Sequence, residues 1–308
     1  MDRKKELKEN GDILLTALID DAAVRVFAIS GAEIVREARR IHDLSRVATA
    51  ALGRMLMMTA LMSADLKNVS DRISAIIKGG GPGGNLVCCG TPDLCVKGTV
   101  GNPNVELKLK ENGKLDVGGF VGRDGSLTVV KDLSMKDPYV GSTRLVSGEI
   151  AEDFAQYYLT SEQQPSIVYL GVRENAETGE VRAAGGIIVS PLPGCPDETI
   201  EKLTALAPQI ATLAKRLDDG ETLQTVIDNI FVGMNPVIVS ARRPQYRCDC
   251  SRERIEKALI AVGAEELNDM IHEDHGAEVT CHFCNKTYRF TELQLKTLLL
   301  CAQPGGNA

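Results

Sequence analysis

The sequence of 308 residues contains no tryptophan, and aromatic residues make up only 4% of it. Proteins that bind single-stranded nucleic acid stack the bases on aromatic side chains, and this chain offers few such platforms. Basic residues are also in the minority, because 35 Lys and Arg face 42 Asp and Glu for a net charge of −7. An acidic chain repels phosphate backbones at long range. We therefore expect no nucleic-acid partner.

Long apolar runs are missing as well. No stretch approaches the ~18 consecutive apolar residues that a membrane-spanning helix needs, so we expect no membrane association. The charged first residues are followed by a short apolar run at 13–19, which is too brief for the hydrophobic region of an export signal. We therefore expect a cytoplasmic protein. Thiols are kept reduced in that compartment, and a framework of structural disulfides is not expected.

The apolar pattern predicts an α+β fold whose N-terminal domain holds a mostly antiparallel sheet with helices. Two runs rich in Val, Ile and Leu between 12 and 29 predict a strand hairpin. Apolar residues at steps of three and four predict one long helix over 34–66. From 72 to 130 short apolar runs between turn residues predict a series of strands, which includes 105–114 and 115–125.

The motif PLPGCP at 191–196 is rich in turn residues, and after it the sequence pattern changes from strand signals to helix signals. We divide the chain there and before the last cysteines, into an N-terminal α+β core domain (1–194), a helical linker (195–245) and a C-terminal module (246–308). Helix signals continue through the first part of the linker, with Pro208 inside the first helix. Proline in a helix interior costs about 3 kcal/mol. The linker is therefore predicted to be metastable unless it is docked.

Five of the nine cysteines lie in the last segment. Cys248 and Cys250 form a C-x-C pair, and thirty residues later Cys281 and Cys284 form a C-x-x-C pair. Two close pairs can place four thiolates at the corners of a tetrahedron around Zn²⁺, so we predict one Zn²⁺ per chain on these four residues. The usual zinc ribbon has C-x-x-C in the first pair as well, and here this sequence differs.

Four sulfur ligands leave no position for water, so activation of a zinc-bound hydroxide is not expected and no catalytic residue is predicted. The sulfurs can react themselves, because peroxide oxidises thiolates to disulfides, which no longer hold the metal. Metal loss would unfold so small a module, since structural zinc contributes on the order of 10–16 kcal/mol in finger peptides. Between the pairs, Ser251 predicts the start of a helix and Gly263 its end.

The last segment is also acidic. Residues 246–290 contain six Lys and Arg against nine Asp and Glu, and four thiolates on one Zn²⁺ add further negative charge. A phosphate-binding zinc ribbon is therefore not expected.

Several stretches of sequence resemble the thirty-three-kilodalton family of redox-regulated heat-shock chaperones, whose members are also called chaperonins. The resemblance covers nearly the whole chain. It rests on GTVGNP, YYLTSEQQPS, CDCSRERIEKAL and GAEELNDMIHEDHGAEVTCHFCNKTYRF.

The resemblance implies an ATP-independent holdase that is inactive when reduced and zinc-bound and is activated under oxidative stress. It implies that Cys281 pairs with Cys284 first, that zinc leaves and the module unfolds, and that Cys248 then pairs with Cys250. The activated form is expected to be a homodimer that holds unfolded client proteins for the seventy-kilodalton heat-shock foldase system. The linker's apolar positions are candidate client contacts, namely Leu203, Ile210, Leu213 and Leu217.

Two other functions stay open at this point. A thiol oxidoreductase would use Cys281 and Cys284 catalytically, although the strand-helix setting of thioredoxin-like motifs is missing. A constitutive zinc-ribbon adaptor would bind partner proteins without oxidation. The remaining cysteines are interpreted as small buried residues, with Cys195 and Cys301 as the candidate exceptions; they are Cys88, Cys89, Cys95, Cys195 and Cys301.

Overall fold

A computed structural model describes residues 11–302 of the chain. The chain separates into two compact units, Met1–Arg247 and Cys248–Ala308. Both units combine helices with antiparallel strands, so the predicted α+β class is confirmed. Within the described residues no helix has the length and the apolar composition needed to cross a bilayer.

The first unit contains eleven described strands and seven described helices. In chain order they are β1 (Ile13–Ile19), β2 (Val24–Ser30), α1 (Ala32–His42), α2 (Arg46–Ser63), β3 (Arg72–Lys78), β4 (Leu86–Gly90), β5 (Cys95–Val100), α3 (Val117–Val121), β6 (Ser126–Asp132), β7 (Tyr139–Arg144), α4 (Ala151–Thr160), β8 (Ile167–Glu174), β9 (Val181–Pro191), α5 (Asp197–Ile210), α6 (Leu213–Asp218), α7 (Leu223–Ile230), β10 (Val237–Arg242) and β11 (Gln245–Tyr246).

These strands form two sheets. The first has the order β10-β1-β2-β9-β8 and is antiparallel throughout. The second has the order β11-β5-β4-β3-β6-β7 and is antiparallel except for the short β11–β5 pair. The predicted hairpin at 12–29 is confirmed, because β1 and β2 pair along their full length from Ile13↔Ser30 to Ile19↔Val24.

The main core lies around α2, which packs against strands of both sheets. Sixteen of its eighteen residues are buried. A helix enclosed in this way needs apolar side chains on most of its faces, and its two residues that are not buried are Arg46 and Arg54.

A second core lies on the other face of the first sheet. Side chains of β1, β2 and β9 alternate between the two cores, so that Leu14 faces α2 while Leu15 joins the second core. Helices α5, α6 and α7 supply the rest of this second core. The predicted linker helices therefore form a layer on the sheet in this structure.

The predicted helix over 34–66 is wrong in one respect, because the structure contains two helices there. Asp43 ends α1 with a left-handed backbone, φ +48°. Ser45 begins α2, and its side chain accepts a hydrogen bond from the backbone N–H of Ala48. Apolar spacing continues through the break, so periodicity alone could not reveal it.

The strands predicted at 105–114 and 115–125 are also wrong. Residues 105–114 form no strand, and the edge of neighbouring β5 is already paired with β11. In the next segment Asp116 caps the short helix α3 by accepting from the N–H of Gly119 at 2.9 Å. An N-cap carboxylate thus decides the local structure over a β-rich composition.

The second unit contains three helices and one hairpin among its described residues. They are α8 (Arg252–Val262), α9 (Ala264–His272), β12 (Gly276–Thr280), β13 (Thr287–Thr291) and α10 (Glu292–Ala302). Strands β12 and β13 pair with each other. The core of this unit holds six buried residues: Leu259, Leu267, Ile271, Tyr288, Phe290 and Leu295.

Candidate metal centre

Two turns of the second unit carry the four cysteines of the predicted metal site. Cys248 and Cys250 lie directly before α8, which begins where the side chain of Ser251 accepts from the N–H of Arg254. Cys281 and Cys284 lie in the turn that joins β12 to β13. The helix start and the hairpin thus fix one pair each.

Backbone hydrogen bonds shape the turn of the second pair. The N–H of Cys281 donates to the carbonyl of Lys286 at 2.9 Å, which closes the turn. The carbonyl of Cys281 accepts from the N–H groups of Cys284 at 3.3 Å and Asn285 at 2.8 Å. Asn285 adopts a left-handed conformation with φ +56°, which asparagine tolerates better than most residues. This short loop brings two sulfurs to one end of the hairpin.

The four sulfurs converge. All of them lie within 4.8 Å of one another, with 3.7 Å between the sulfurs of Cys248 and Cys281 and 3.4 Å between those of Cys250 and Cys284. A tetrahedron with metal–sulfur bonds of ~2.3 Å has edges of about 3.8 Å. Spacing and donor chemistry therefore fit a four-coordinate metal ion that prefers soft ligands.

This group contains no histidine. His275 instead lies 3.9 Å from a carboxylate oxygen of Glu292. Four cysteine sulfurs complete a tetrahedral shell, so the geometry gives a closed site with no open position for substrate or water.

Tyr288 is a site residue that the sequence patterns did not single out. Its hydroxyl donates a hydrogen bond to the sulfur of Cys250 at 3.2 Å, and its side chain is only 6% exposed. Alternation along β13 buries Tyr288 and Phe290 on one face. That alternation could have placed Tyr288 inside the module, but no sequence signal reveals which sulfur it contacts.

The protonation of the metal-free cluster is uneven. Burial opposes ionisation of Cys250, but hydrogen bonds from Tyr288 and from the neighbouring thiols outweigh it and lower the pKa of Cys250 to about 7. Burial raises the pKa of Cys248 and of Cys284 above the ordinary thiol value. A bound metal ion would instead lower the pKa of each of its ligand thiols, because metal ligation requires thiolates.

The other cysteines lie apart from this group. Cys88 and Cys95 are buried in the second sheet of the first unit, and Cys89 and Cys195 are half-buried. Cys301 is exposed, so the interpretation as a buried residue does not apply to it.

The candidate client-contact residues lie in the first unit, in the core between α5, α6, α7 and the first sheet. Leu203, Ile210 and Leu213 are buried there, and Leu217 packs against the same core while partly exposed. The packing is close, because a Cβ added at Gly185 on β9 would overlap the side chains of Leu213 and Leu217. Leu203, Ile210 and Leu213 are thus covered while the helices remain docked, and Leu217 is covered in part.

Known proteins are similar to this chain over nearly its whole length. A family model described as Hsp33 protein matches residues 12–291. The 33 kDa chaperonin of Clostridium perfringens is 44% identical over 289 residues, covering 94% of this chain and 91% of that protein. The 33 kDa chaperonin of Alkaliphilus metalliredigens is 43% identical over 286 residues, covering 93% of this chain and 98% of that protein.

A solved structure gives the same result. The crystal structure of the 33 kDa chaperonin from Thermotoga maritima matches with a TM-score of 0.86 and 37% sequence identity, over 95% of this chain and 99% of that chain. The resemblance inferred from the sequence motifs is confirmed, and the chain belongs to the Hsp33 family of chaperones, the 33 kDa chaperonins.

Proposed function

We propose that this protein is a cytoplasmic, ATP-independent holdase whose activity is controlled by the redox state of its four-cysteine cluster. The main observation in support is that four sulfurs within 4.8 Å of one another lie in a unit whose core holds only six buried residues. Such a unit depends on its metal for folding. Oxidation of the sulfurs therefore releases the metal and changes the conformation of the unit.

The metal in this proposal is one Zn²⁺ held by Cys248, Cys250, Cys281 and Cys284. Zinc suits four thiolates in a closed tetrahedral site and has no redox chemistry of its own, so the sulfurs are the groups that react. The chain's contribution is to hold the four sulfurs together and to keep water out of the metal's coordination shell.

Oxidation converts each pair to a disulfide. A thiolate attacks peroxide, the O–O bond breaks, and a sulfenic acid and hydroxide form. The second thiolate of the pair displaces hydroxide from that sulfenic acid, which makes the disulfide and completes the two-electron reduction of peroxide. In the proposed order Cys281 pairs with Cys284 first, zinc leaves and the unit unfolds, and Cys248 then pairs with Cys250.

In this proposal residues 195–245 are a linker that stays docked only while the redox module is folded. The linker lies in the sequence between a core domain (1–194) and the redox module (246–308). The docked helices cover Leu203, Ile210, Leu213 and Leu217. Their release would expose apolar surface on the helices and on the sheet, and large exposed apolar patches bind other proteins. In this proposal that surface holds unfolded clients, the active form is a homodimer, and the seventy-kilodalton heat-shock foldase system receives the clients.

The relatives' name, chaperonin, favours binding over catalysis. A thiol oxidoreductase would turn over a dithiol substrate, and a constitutive adaptor would lose its binding when the metal is removed. A holdase would instead begin to bind client proteins when the metal is removed. These different results distinguish the three functions.

Replacing Cys281 and Cys284 with serine tests the proposal. The double variant should lack the metal and suppress aggregation of a thermally unfolding client even in reductant, with no further gain from peroxide. Cys89→Ser is the matched control, because this half-buried thiol lies in the first unit; it should need peroxide like the parent. A double variant that is inactive in reductant and responds to peroxide like the parent would contradict the proposal.

A further inference from the structure

We propose that the hydroxyl of Tyr288 shields the sulfur of Cys250 from oxidants and thereby directs the first oxidation to Cys281 and Cys284. This inference rests on the proposed function, because it assigns a positioning residue to the redox switch. Its basis is one contact, the hydrogen bond of 3.2 Å from the Tyr288 hydroxyl to the Cys250 sulfur.

The phenol ring is held firmly in place. Tyr288 is 6% exposed and belongs to the core of the module together with Phe290. Across the hairpin it pairs with Val279 on β12. The ammonium group of Lys286 lies 5.0 Å from the centre of the Tyr288 ring, a distance at which a cation is attracted to the ring face. The hydroxyl therefore has little freedom to leave the sulfur.

The contact distinguishes the two cysteine pairs. Among the described residues a side-chain hydroxyl reaches the sulfur of Cys250 and no other sulfur of the cluster. Solvent access does not favour Cys281 and Cys284 either, because Cys281 is buried while Cys248, Cys250 and Cys284 are half-buried. The Tyr288 hydroxyl is thus the contact that one pair has and the other lacks.

A hydrogen bond to a metal-bound thiolate lowers its reactivity. The O–H group takes up part of the charge on the sulfur, and nucleophilicity falls as a thiolate becomes less basic. Attack on peroxide needs a free sulfur lone pair. One sulfur of the Cys281 and Cys284 pair attacks peroxide first, and hydroxide leaves. The other sulfur then displaces hydroxide from the sulfenic acid to form the disulfide, which can no longer hold a metal.

Tyr288→Phe is the informative variant, because it removes the hydroxyl and keeps the ring in the core and under Lys286. The full-length reduced protein, loaded with Zn²⁺, receives less than one equivalent of hydrogen peroxide. Free thiols are then alkylated, and mass spectrometry maps the oxidised residues in molecules that have reacted once. The readout is the ratio of oxidation at Cys250 to oxidation at Cys284, which a general loss of stability would not change.

The parent protein should give mainly the Cys281–Cys284 disulfide in its first step. In Tyr288→Phe the ratio of Cys250 to Cys284 oxidation should rise about tenfold. A change of this size is comparable with the lower end of the roughly 10–100-fold losses of metal affinity or activity that follow removal of a metal ligand's hydrogen-bond partner. Phe290→Leu is the stability control, because it disturbs the same core and leaves the hydroxyl in place. It should speed oxidation of both pairs and leave their ratio as in the parent.

A ratio in Tyr288→Phe equal to that of the parent overturns the inference, and so does an equal rise in Phe290→Leu. Failure of the proposed function gives a different result, in which peroxide oxidises the cysteines but no chaperone activity appears in the parent. The oxidation ratio still decides the role of Tyr288 in that case.

Discussion

The two units of this protein are stabilised in opposite ways. The first is built around α2, a helix with sixteen of eighteen residues buried between two sheets. In the second unit α8 buries one residue, Leu259, and α9 buries two, Leu267 and Ile271. The second unit instead adds a group of four cysteine sulfurs to a core of six buried residues.

In the proposed function, this difference lets oxidation act on one part of the chain alone. A unit of about 60 residues buries too little surface to be more than marginally stable. Metal binding can supply the missing free energy, and it is lost when the sulfurs are oxidised. The first unit is instead built on two large apolar cores.

Metal removal should give the largest contrast between the units. With a chelator in reductant, backbone amides of β12, β13, α8 and α9 should lose all protection from hydrogen exchange, while those of α2 keep theirs. The expected loss is on the order of 10 kcal/mol for the second unit, as in zinc-dependent modules. Exchange measured by mass spectrometry with and without zinc checks this. Retained protection of α8 and α9 without metal would contradict it.

Two matched leucine-to-alanine substitutions, one in each unit, test whether the units are stabilised differently. Leu267→Ala and Leu52→Ala each remove a fully buried leucine, which costs about 2–5 kcal/mol. In the second unit this loss should appear as weaker metal retention, because metal binding and folding are coupled there. In the first unit it should lower the thermal unfolding temperature and leave metal affinity unchanged. Competition with a chromophoric chelator measures the affinity; equal metal affinity in both variants would remove the distinction.

The first unit should show its own pH dependence through Asp12. Its carboxylate accepts from the N–H groups of Glu33 at 3.0 Å and Ile34 at 2.8 Å. Burial outweighs these hydrogen bonds and raises the pKa of Asp12 to about 6 from 3.8. Because the folded pKa is raised, the stability that Asp12 contributes is complete below about pH 4 and is lost as pH rises through 6.

Between pH 4 and pH 7 the parent should therefore lose about 2 kcal/mol relative to Asp12→Asn. Urea unfolding followed by tyrosine fluorescence at both pH values measures the difference. Asp21→Asn is the control, because Asp21 is exposed, and this variant should follow the parent. If the stability of the parent and that of Asp12→Asn changed in parallel between the two pH values, the raised pKa assigned to Asp12 would be contradicted.

The smallest expected effect concerns the helical layer of the first unit. An added Cβ at Gly185 would overlap Leu213 and Leu217, whereas at the next residue, Gly186, it would meet Leu170 on the α2 side of the sheet. Overpacking costs about 1–3 kcal/mol in either case. Gly185→Ala should loosen α6 and raise client binding in reductant. Gly186→Ala should lose similar stability without gaining client binding in an aggregation assay, and similar activity in both variants would argue against a role for the layer.

Local signals in the sequence predicted the second unit well. The Ser251 cap and the Gly263 stop define α8 as predicted, because capping is a property of a few neighbouring residues. The four cysteines converge because the spacing of the two pairs lets two turns meet. The Tyr288 contact could not be predicted, since it depends on which face of the hairpin meets which sulfur.

Prediction was weaker where tertiary context decides the structure. The break at Asp43 lies inside a continuous apolar pattern, so the periodicity of α1 and α2 hid it. Residues 105–114 have a strand-like alternation but form no strand. The apolar faces of α5, α6 and α7 predicted that these helices would pack on another part of the protein. No sequence pattern identified the first sheet as that surface.

The most direct test of the account is light scattering from a thermally unfolding client, recorded together with zinc release. The protein is added either reduced and zinc-loaded, or after peroxide treatment at mild heat. The account predicts that only the oxidised sample suppresses scattering and that suppression follows zinc release in time. Equal suppression by both samples, or none by either, would contradict the claim that metal loss from the second unit controls chaperone activity.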